Sequence, residues 1–188
     1  MRKIKIVSII AIAVLFMAGI VFSTAGEAYA ASDSCSLSVA NVSGTGRLNV
    51  GTTSVTQGTS ISYSVSTSTS GGGGMIGGSV KLESVEFNGQ TKSSSSGAFS
   101  TAGVSGTYTI TAYFVLDVWQ GNSQGGTHLG TDYGSCSITI HVSVPEYRVS
   151  FDLNGGSRSG GGSLTQYVSK GDSATPPSVY RTGYSFAG

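Results

Sequence analysis

The sequence predicts an all-β fold in two modules, and three observations lead to this prediction. Apolar and small polar residues alternate with a period of two in several segments, which is typical of half-buried strands. Gly, Asn and Ser separate these segments at a spacing of about 8–12 residues, which favours a β-sandwich. After the first 30 residues, no window of ten or more residues shows the 3.6-residue period of a helix.

Residues 1–30 have the pattern of an export signal. Basic residues precede an apolar run over 6–22, and a small-x-small sequence ends at Ala30. We therefore predict cleavage to a mature chain that starts at Ala31, an extracellular or cell-surface location, and no membrane insertion after cleavage. The apolar run is longer than the roughly 7–15 residues typical of a removed signal, so a retained N-terminal anchor is the alternative.

The first module covers residues 31–144 and contains the clearest strand patterns. Its three longest alternating segments are 59–68, 107–118 and 135–144. In each segment most of the alternate residues are apolar, which predicts a strand with one buried face and one solvent-facing face. Shorter strand candidates lie at 34–39, 47–50, 80–87 and 98–100.

The stretch 106–112 reads Gly-Thr-Tyr-Thr-Ile-Thr-Ala. It resembles the penultimate strand of bacterial immunoglobulin-like domains, in which a Gly-x-Tyr segment leads into a long core strand. A Tyr near the start of that strand, here Tyr108, can close a tyrosine-corner hydrogen bond. The resemblance covers about residues 33–144 and implies an immunoglobulin-like β-sandwich.

The chain has two cysteines, and both fall in the first module. Cys35 lies in its first strand and Cys136 in its last, each on the apolar face of its alternation. Since disulfides persist in exported proteins, we predict a structural Cys35–Cys136 disulfide, whose loop closure would contribute about 4–5 kcal/mol in the chain-entropy model. A redox or metal role is the alternative, although the sequence contains no Cys-x-x-Cys.

A second sequence motif, different from that of the first module, covers residues 145–188. It closely resembles the Listeria-Bacteroides repeat, also called the internalin B-repeat, which opens with Phe-x-x-Asn-Gly-Gly and closes with Arg-x-Gly-Tyr-x-Phe-x-Gly-Trp. The matching residues are Phe151, Asn154, Gly155, Gly156, Val168, Gly171, Pro176 or Pro177, Arg181, Gly183, Tyr184, Phe186 and Gly188. The resemblance implies a small β-grasp-like module that surface proteins use as a spacer or adhesive unit.

The second module departs from the family at its end, because the sequence stops at Gly188 before the closing Trp. We expect the chain to be a fragment of a longer product. The alternative is a truncated module that packs poorly at its end. Within the module, residues 157–163 are expected to form a polar loop.

Motifs for catalysis and for cofactor binding are incomplete. Residues 121–125 fit Gly-x-Ser-x-Gly around Ser123, but no helix can follow, so we expect 120–134 to be a loop. The glycine-rich stretch 70–78 lacks the Gly-Lys-Ser/Thr ending of a phosphate loop and is also expected to be a loop. His, Cys and carboxylate residues do not cluster at ligand spacing. We therefore predict no enzyme activity, no cofactor and no metal.

Charge excludes another class of partner. The chain has ten basic and nine acidic residues, a formal net charge of +1, and only 10% charged residues. It therefore has no basic field that would attract a phosphate backbone, and nucleic acid is not a predicted partner.

Tyr113 and Trp119 form a candidate contact surface, since both lie on the face of segment 107–119 opposite its core side. Large exposed aromatic residues often mark binding surfaces. The alternative is that they pack beneath the 120–134 loop or against the second module.

The sequence thus predicts an exported, non-catalytic cell-surface protein that acts in adhesion or as a surface-display stalk. Its partner would be a cell-surface protein or a glycan. The alternative is the N-terminal part of a larger secreted enzyme or carbohydrate-binding protein whose active domain lies beyond residue 188.

Overall fold

The computed structural model describes residues 30–121 and 126–184, and it is built from strands. These residues form thirteen β-strands and no helix. The prediction of an all-β chain is therefore confirmed. No helix in this part of the chain has the length and apolar character needed to cross a bilayer.

Several sequence predictions lie outside the described residues. They are the export signal up to residue 29, Ser123 in the Gly-x-Ser-x-Gly match, and the closing residues Phe186 and Gly188. Packing of the chain divides it into two compact units, with the boundary between Pro145 and Glu146.

The first of these, the two-sheet unit, precedes the boundary, and its residues in 30–121 and 126–145 form nine strands. They are β1 (Ala31–Val39), β2 (Val42–Val50), β3 (Ser54–Thr56), β4 (Ser60–Gly71), β5 (Ile76–Phe87), β6 (Gln90–Lys92), β7 (Ser96–Ser100), β8 (Gly106–Gln120) and β9 (Thr127–Ser143). One sheet has four strands in the order β1-β2-β4-β7, and the other has five in the order β3-β9-β8-β5-β6. Neighbouring strands are antiparallel except β3 and β9, which are parallel.

One hydrophobic core joins the two sheets. Alternating residues of β2 and β4 supply one side of it, and alternating residues of β5, β8 and β9 supply the other. At Gly46 the sheets approach so closely that a Cβ atom would lie 2.5 Å from the ring of Phe114. At another point Phe99 of β7 packs against Phe87 of β5, with ring centroids 5.6 Å apart. The face-to-face packing of the sheets therefore follows from the period-two pattern of the sequence.

The structure corrects the predicted Cys35–Cys136 disulfide. The two side chains do face each other, from β1 and β9, but both are free thiols. Their Sγ atoms lie 2.7 Å apart, compared with about 2.05 Å in a disulfide bond. The single proton of the Cys136 thiol has two acceptors within reach, Cys35 Sγ and, at 3.3 Å, the Gly46 carbonyl. Burial, assisted by the contact with Cys35 and the charge of Asp33, raises the pKa of the Cys136 thiol from 9.0 to about 12.

Two carboxylates also link β1 to β9. The Ser137 N–H donates to Asp33 at 2.9 Å, and the Ser38 N–H donates to Asp132 at 2.8 Å. Asp132 also accepts from the Tyr133 N–H at 3.0 Å. These side chains satisfy backbone donors at the exposed edges of the two strands, where no neighbouring strand supplies a carbonyl.

The second unit, called the C-terminal unit here, contains β10 (Glu146–Ser150), β11 (Ser157–Gly161), β12 (Thr165–Ser169) and β13 (Pro177–Tyr180). β10 pairs with β12 and β11 with β13, in two separate two-stranded antiparallel sheets. The prediction of a polar loop over 157–163 is wrong for 157–161, which form β11. That segment contains only Ser, Arg and Gly, so it has no apolar alternation to reveal a strand.

Candidate functional site

The outer face of β8 carries the two predicted contact residues. Tyr113, Val115, Asp117 and Trp119 alternate with buried core residues, so all four point away from the core. Tyr113 is 38% exposed, and Trp119 is partly buried. The two aromatic residues are six positions apart, which corresponds to about 20 Å along the strand. The structure thus places both on one sheet face but at separate points.

The surroundings of Trp119 differ from those expected. The segment 120–134 was predicted to be a loop, but β9 begins at Thr127 and pairs Trp119 with His128. The Trp119 ring lies 5.6 Å from the His128 ring, and Lys81 Nζ of β5 lies 6.0 Å from the Trp119 ring. Trp119 therefore lies among strand residues, and its described neighbours do not include a covering loop.

Asp117 is the polar centre of the Trp119 end. It accepts a hydrogen bond from the Thr131 hydroxyl at 2.9 Å and lies 3.9 Å from Lys81 Nζ. His128 Nε2 lies 3.8 Å from the same carboxylate and 3.2 Å from Thr131 Oγ1. In a catalytic triad the carboxylate holds the imidazole by the nitrogen opposite the nucleophile, whereas here both groups approach Nε2. This arrangement orients side chains on the surface but lacks the geometry of a triad.

The Tyr113 end contains an open depression of about 340 Å³. It is lined by Glu83, Tyr113, Phe114, Tyr133, Gly134 and Ser135. Tyr133 is 68% exposed, and Ser135 lies directly opposite Tyr113 in the β8–β9 register. A β-bulge between Leu82 and Ser84 leaves Glu83 as the extra residue of β5 beside Tyr113, and bulges commonly redirect side chains in this way.

Four residues of this surface were not predicted from the sequence, namely Lys81, Glu83, His128 and Tyr133. Glu83 is the extra residue of a β-bulge, which the period-two pattern of the sequence does not reveal. His128 and Tyr133 fall in the segment predicted to be a loop. The Thr, His and Tyr residues of 127–133 are types that could have indicated a strand. Gly130 interrupts the segment, however, so no regular period-two pattern is visible there.

The described residues contain no group of three or more His, Cys, Asp or Glu side chains that could hold a metal ion. In comparisons with known proteins, no family model, no curated protein and no solved structure matched the chain.

Proposed function

We propose that the chain is an exported, non-catalytic cell-surface protein that acts in adhesion or as a surface-display stalk. Its contact surface is the outer face of the five-stranded sheet, and its partner is a cell-surface protein or a glycan. The observation that carries this proposal is the set of aromatic residues on one sheet face, namely the exposed Tyr113 and Tyr133 and the partly buried Trp119. Aromatic residues are enriched at binding surfaces because they bury a large area with little loss of side-chain freedom.

Export is supported by the sequence of residues 1–30 and by the way the strands meet solvent. The exposed positions of β4 are serine and threonine, with Gly71 at its end. Hydroxyl groups, rather than charges, thus keep this face hydrated, which suits a chain of near-neutral charge.

An immunoglobulin-like assignment of residues 31–144 is part of the proposal, and two features support it. If β2, β4 and β7 are strands A, B and E, then β5, β8 and β9 are C, F and G, and the two sheets contain ABE and CFG. In addition, the Tyr108 hydroxyl donates to the Ser105 carbonyl at 3.1 Å. This bond from the start of the F-like strand has the form of a tyrosine corner.

A B-repeat assignment of residues 145–188 completes the proposal. Its support is that residues from the opening and closing motifs contact each other. Asn154 and Gly155 have positive φ angles of 44° and 78°, and the Asn154 carbonyl accepts from Arg181 Nη1 at 3.4 Å. The Arg181 guanidinium in turn lies 4.4 Å from the centroid of the Tyr184 ring.

The export proposal is tested by cell fractionation and N-terminal sequencing of the protein produced from its full gene. We expect a cell-surface or extracellular protein that begins at Ala31. Membrane-bound protein that retains Met1 would instead indicate an N-terminal anchor.

The contact proposal is tested by binding of the exported protein to whole cells, with Tyr113→Ala and Trp119→Ala combined. We expect binding by the unmodified protein and its loss in the double variant. Tyr167→Ala is the matched control, because Tyr167 is 64% exposed but lies in the C-terminal unit. Binding that survives the double variant would overturn the assignment of the surface, and absence of any binding would indicate a stalk.

A further inference from the structure

We propose that the contact surface binds a neutral glycan, and that the depression between Tyr113, Tyr133 and Glu83 is its main sugar subsite. This inference rests on the proposed function, because it names the ligand class of the same surface. A pyranose ring combines an apolar face of C–H groups with a rim of hydroxyls. The occupant of the depression must match both of these chemistries.

Tyr113 and Tyr133 provide the apolar part. Tyr133 lies on β9 opposite Val115, one outward position along the sheet from Tyr113 and Ser135. Diagonal neighbours of this kind are about 7–8 Å apart, which is within reach of aromatic side chains. Both rings remain accessible, at 38% and 68% exposure, so a sugar ring can pack on them.

Glu83 and Ser135 provide the polar part. The Glu83 carboxylate can accept hydrogen bonds from sugar hydroxyls, and the Ser135 hydroxyl can donate or accept. The bulge at Leu82/Ser84 brings Glu83 to the side of Tyr113, and bulges are frequent next to binding sites. The depression has a volume of about 340 Å³ and is open to solvent, so it can receive one ring of a longer chain without enclosing it.

Charge disfavours an anionic ligand. Lys81 and Asp117 lie 3.9 Å apart and largely compensate each other. Glu83 lines the depression, and Glu86, which is exposed between the buried Val85 and Phe87, lies on the same face. These carboxylates repel an anionic polymer, whereas a neutral glycan meets no such repulsion.

The spacing of the aromatic residues favours a glycan over a protein. Binding hot spots in protein interfaces cluster near the centre of a desolvated patch. Here Tyr113 and Trp119 are separated by about 20 Å of strand, and the polar pair Asp117 and Thr131 lies between Trp119 and the level of Tyr133. An extended oligosaccharide can contact both ends and hydrogen-bond to the polar residues between them.

The test is binding of the exported protein to immobilised neutral polysaccharides, namely a glucan, a mannan and a xylan, with hyaluronan as the charged comparison. We expect retention on at least one neutral polysaccharide and none on hyaluronan. Tyr113→Ala and Tyr133→Ala should each weaken binding about tenfold or more, as for a binding hot spot. Trp119→Ala should weaken binding of the polysaccharide but not of a disaccharide, because only the longer ligand reaches Trp119.

Tyr167→Ala is again the control and should bind normally, and Trp119 fluorescence should show that the Tyr113 and Tyr133 variants are folded. Normal glycan binding by the folded Tyr113 and Tyr133 variants would overturn the subsite. Absence of binding to every neutral polysaccharide, with cell binding that survives enzymatic deglycosylation of the cells, would overturn the ligand class in favour of a protein partner while the proposed function stands. Absence of both kinds of binding would overturn the contact function itself.

Discussion

The two-sheet unit and the C-terminal unit are both made of strands, but they hold those strands together in different ways. Among its described residues, the two-sheet unit has twenty buried hydrophobic side chains in one core, including Phe87, Phe99 and Phe114. In the C-terminal unit, none of the described residues from 146 to 184 is buried. Its four described tyrosines are all exposed, namely Tyr147, Tyr167, Tyr180 and Tyr184.

Side-chain hydrogen bonds to the backbone replace the core in the C-terminal unit. Arg158 donates to the carbonyls of Gly161 and Gly162 at 2.7 and 2.8 Å, and Gln166 donates to the Thr175 carbonyl at 2.6 Å. The two two-stranded sheets of this unit bury none of its described residues, and an isolated pair of strands is only marginally stable. Period-two alternation therefore builds a core in this chain where a second sheet covers the apolar face.

The largest expected effect is from Phe114→Ala, which removes a fully buried ring from between the sheets. It should lower the free energy of unfolding of the two-sheet unit by about 3–5 kcal/mol. Urea denaturation followed by Trp119 fluorescence measures this, because Trp119 is the single tryptophan of the chain. Tyr167→Ala should leave the same transition unchanged. An equal loss from both variants would show that the stabilities of the two units are not separate.

The next effect is overpacking by Gly46→Ala. Because the added Cβ would lie 2.5 Å from the Phe114 ring, the sheets must shift apart, at a cost of about 1–3 kcal/mol. Gly77→Ala on β5 is the matched control, since its Cβ would meet no atom within 4 Å and its φ is not positive. The same denaturation experiment compares them. Equal free energies of unfolding in the two variants would mean that the space between Gly46 and Phe114 can accept a methyl group.

The sequence was sufficient for the strands whose burial alternates strictly. Segment 107–118 lies within β8, and segment 135–144 lies within β9 up to Ser143, because alternate side chains there enter the core. The first part of β9 was missed because its place depends on pairing with β8, such as Asp117 with Thr131, and not on its own apolar pattern. β11 was missed for the same reason, since pairing with β13 defines it.

The candidate surface was predictable only where it follows the strand period. Tyr113 and Trp119 could be placed on one face from the alternation of β8 alone. Glu83 could not, because the bulge in β5 shifts the period by one residue. The positions of Cys35 and Cys136 on facing strands were also predictable, but their bonding was not. Sequence gives the face of a residue, whereas the state of the two sulfurs depends on their separation.

A smaller effect on the two-sheet unit depends on pH and on Cys136. The pKa of its thiol is raised from 9.0 to about 12 in the folded chain, so above pH 9 the unfolded chain loses this proton while the folded chain keeps it. Stability should therefore fall as pH rises between these values, by roughly 1 kcal/mol at pH 10 relative to neutral pH. Other groups also titrate in this range, so the measurement is the difference from Cys136→Ala. An identical loss between pH 7 and pH 10 in both proteins would contradict a buried, protonated thiol.

The smallest effect uses a pair of matched glutamines, one in each unit. Gln90 donates to the Ser100 carbonyl at 2.9 Å and accepts from the Ser100 N–H at 3.2 Å. Gln166 makes the same two contacts with Thr175, at 2.6 and 2.9 Å, and also donates to the Ser163 carbonyl at 2.8 Å. Each hydrogen bond is expected to contribute about 1 kcal/mol or less at these exposed positions. Gln90→Ala and Gln166→Ala therefore remove similar side-chain hydrogen bonds, one from a unit with a hydrophobic core and one from a unit without a buried residue among those described.

Amide hydrogen exchange should separate the two settings. In the two-sheet unit, Gln90→Ala should speed exchange at Ser100 alone, because the core continues to hold the β4–β7 pairs on either side of it. In the C-terminal unit, Gln166→Ala should speed exchange along the whole β10–β12 ladder by about threefold to tenfold, since no core holds these strands when the bond is lost. An effect of Gln166→Ala confined to Thr175 would show that the C-terminal unit has a cooperative stability of its own, and the contrast between the units would then fail.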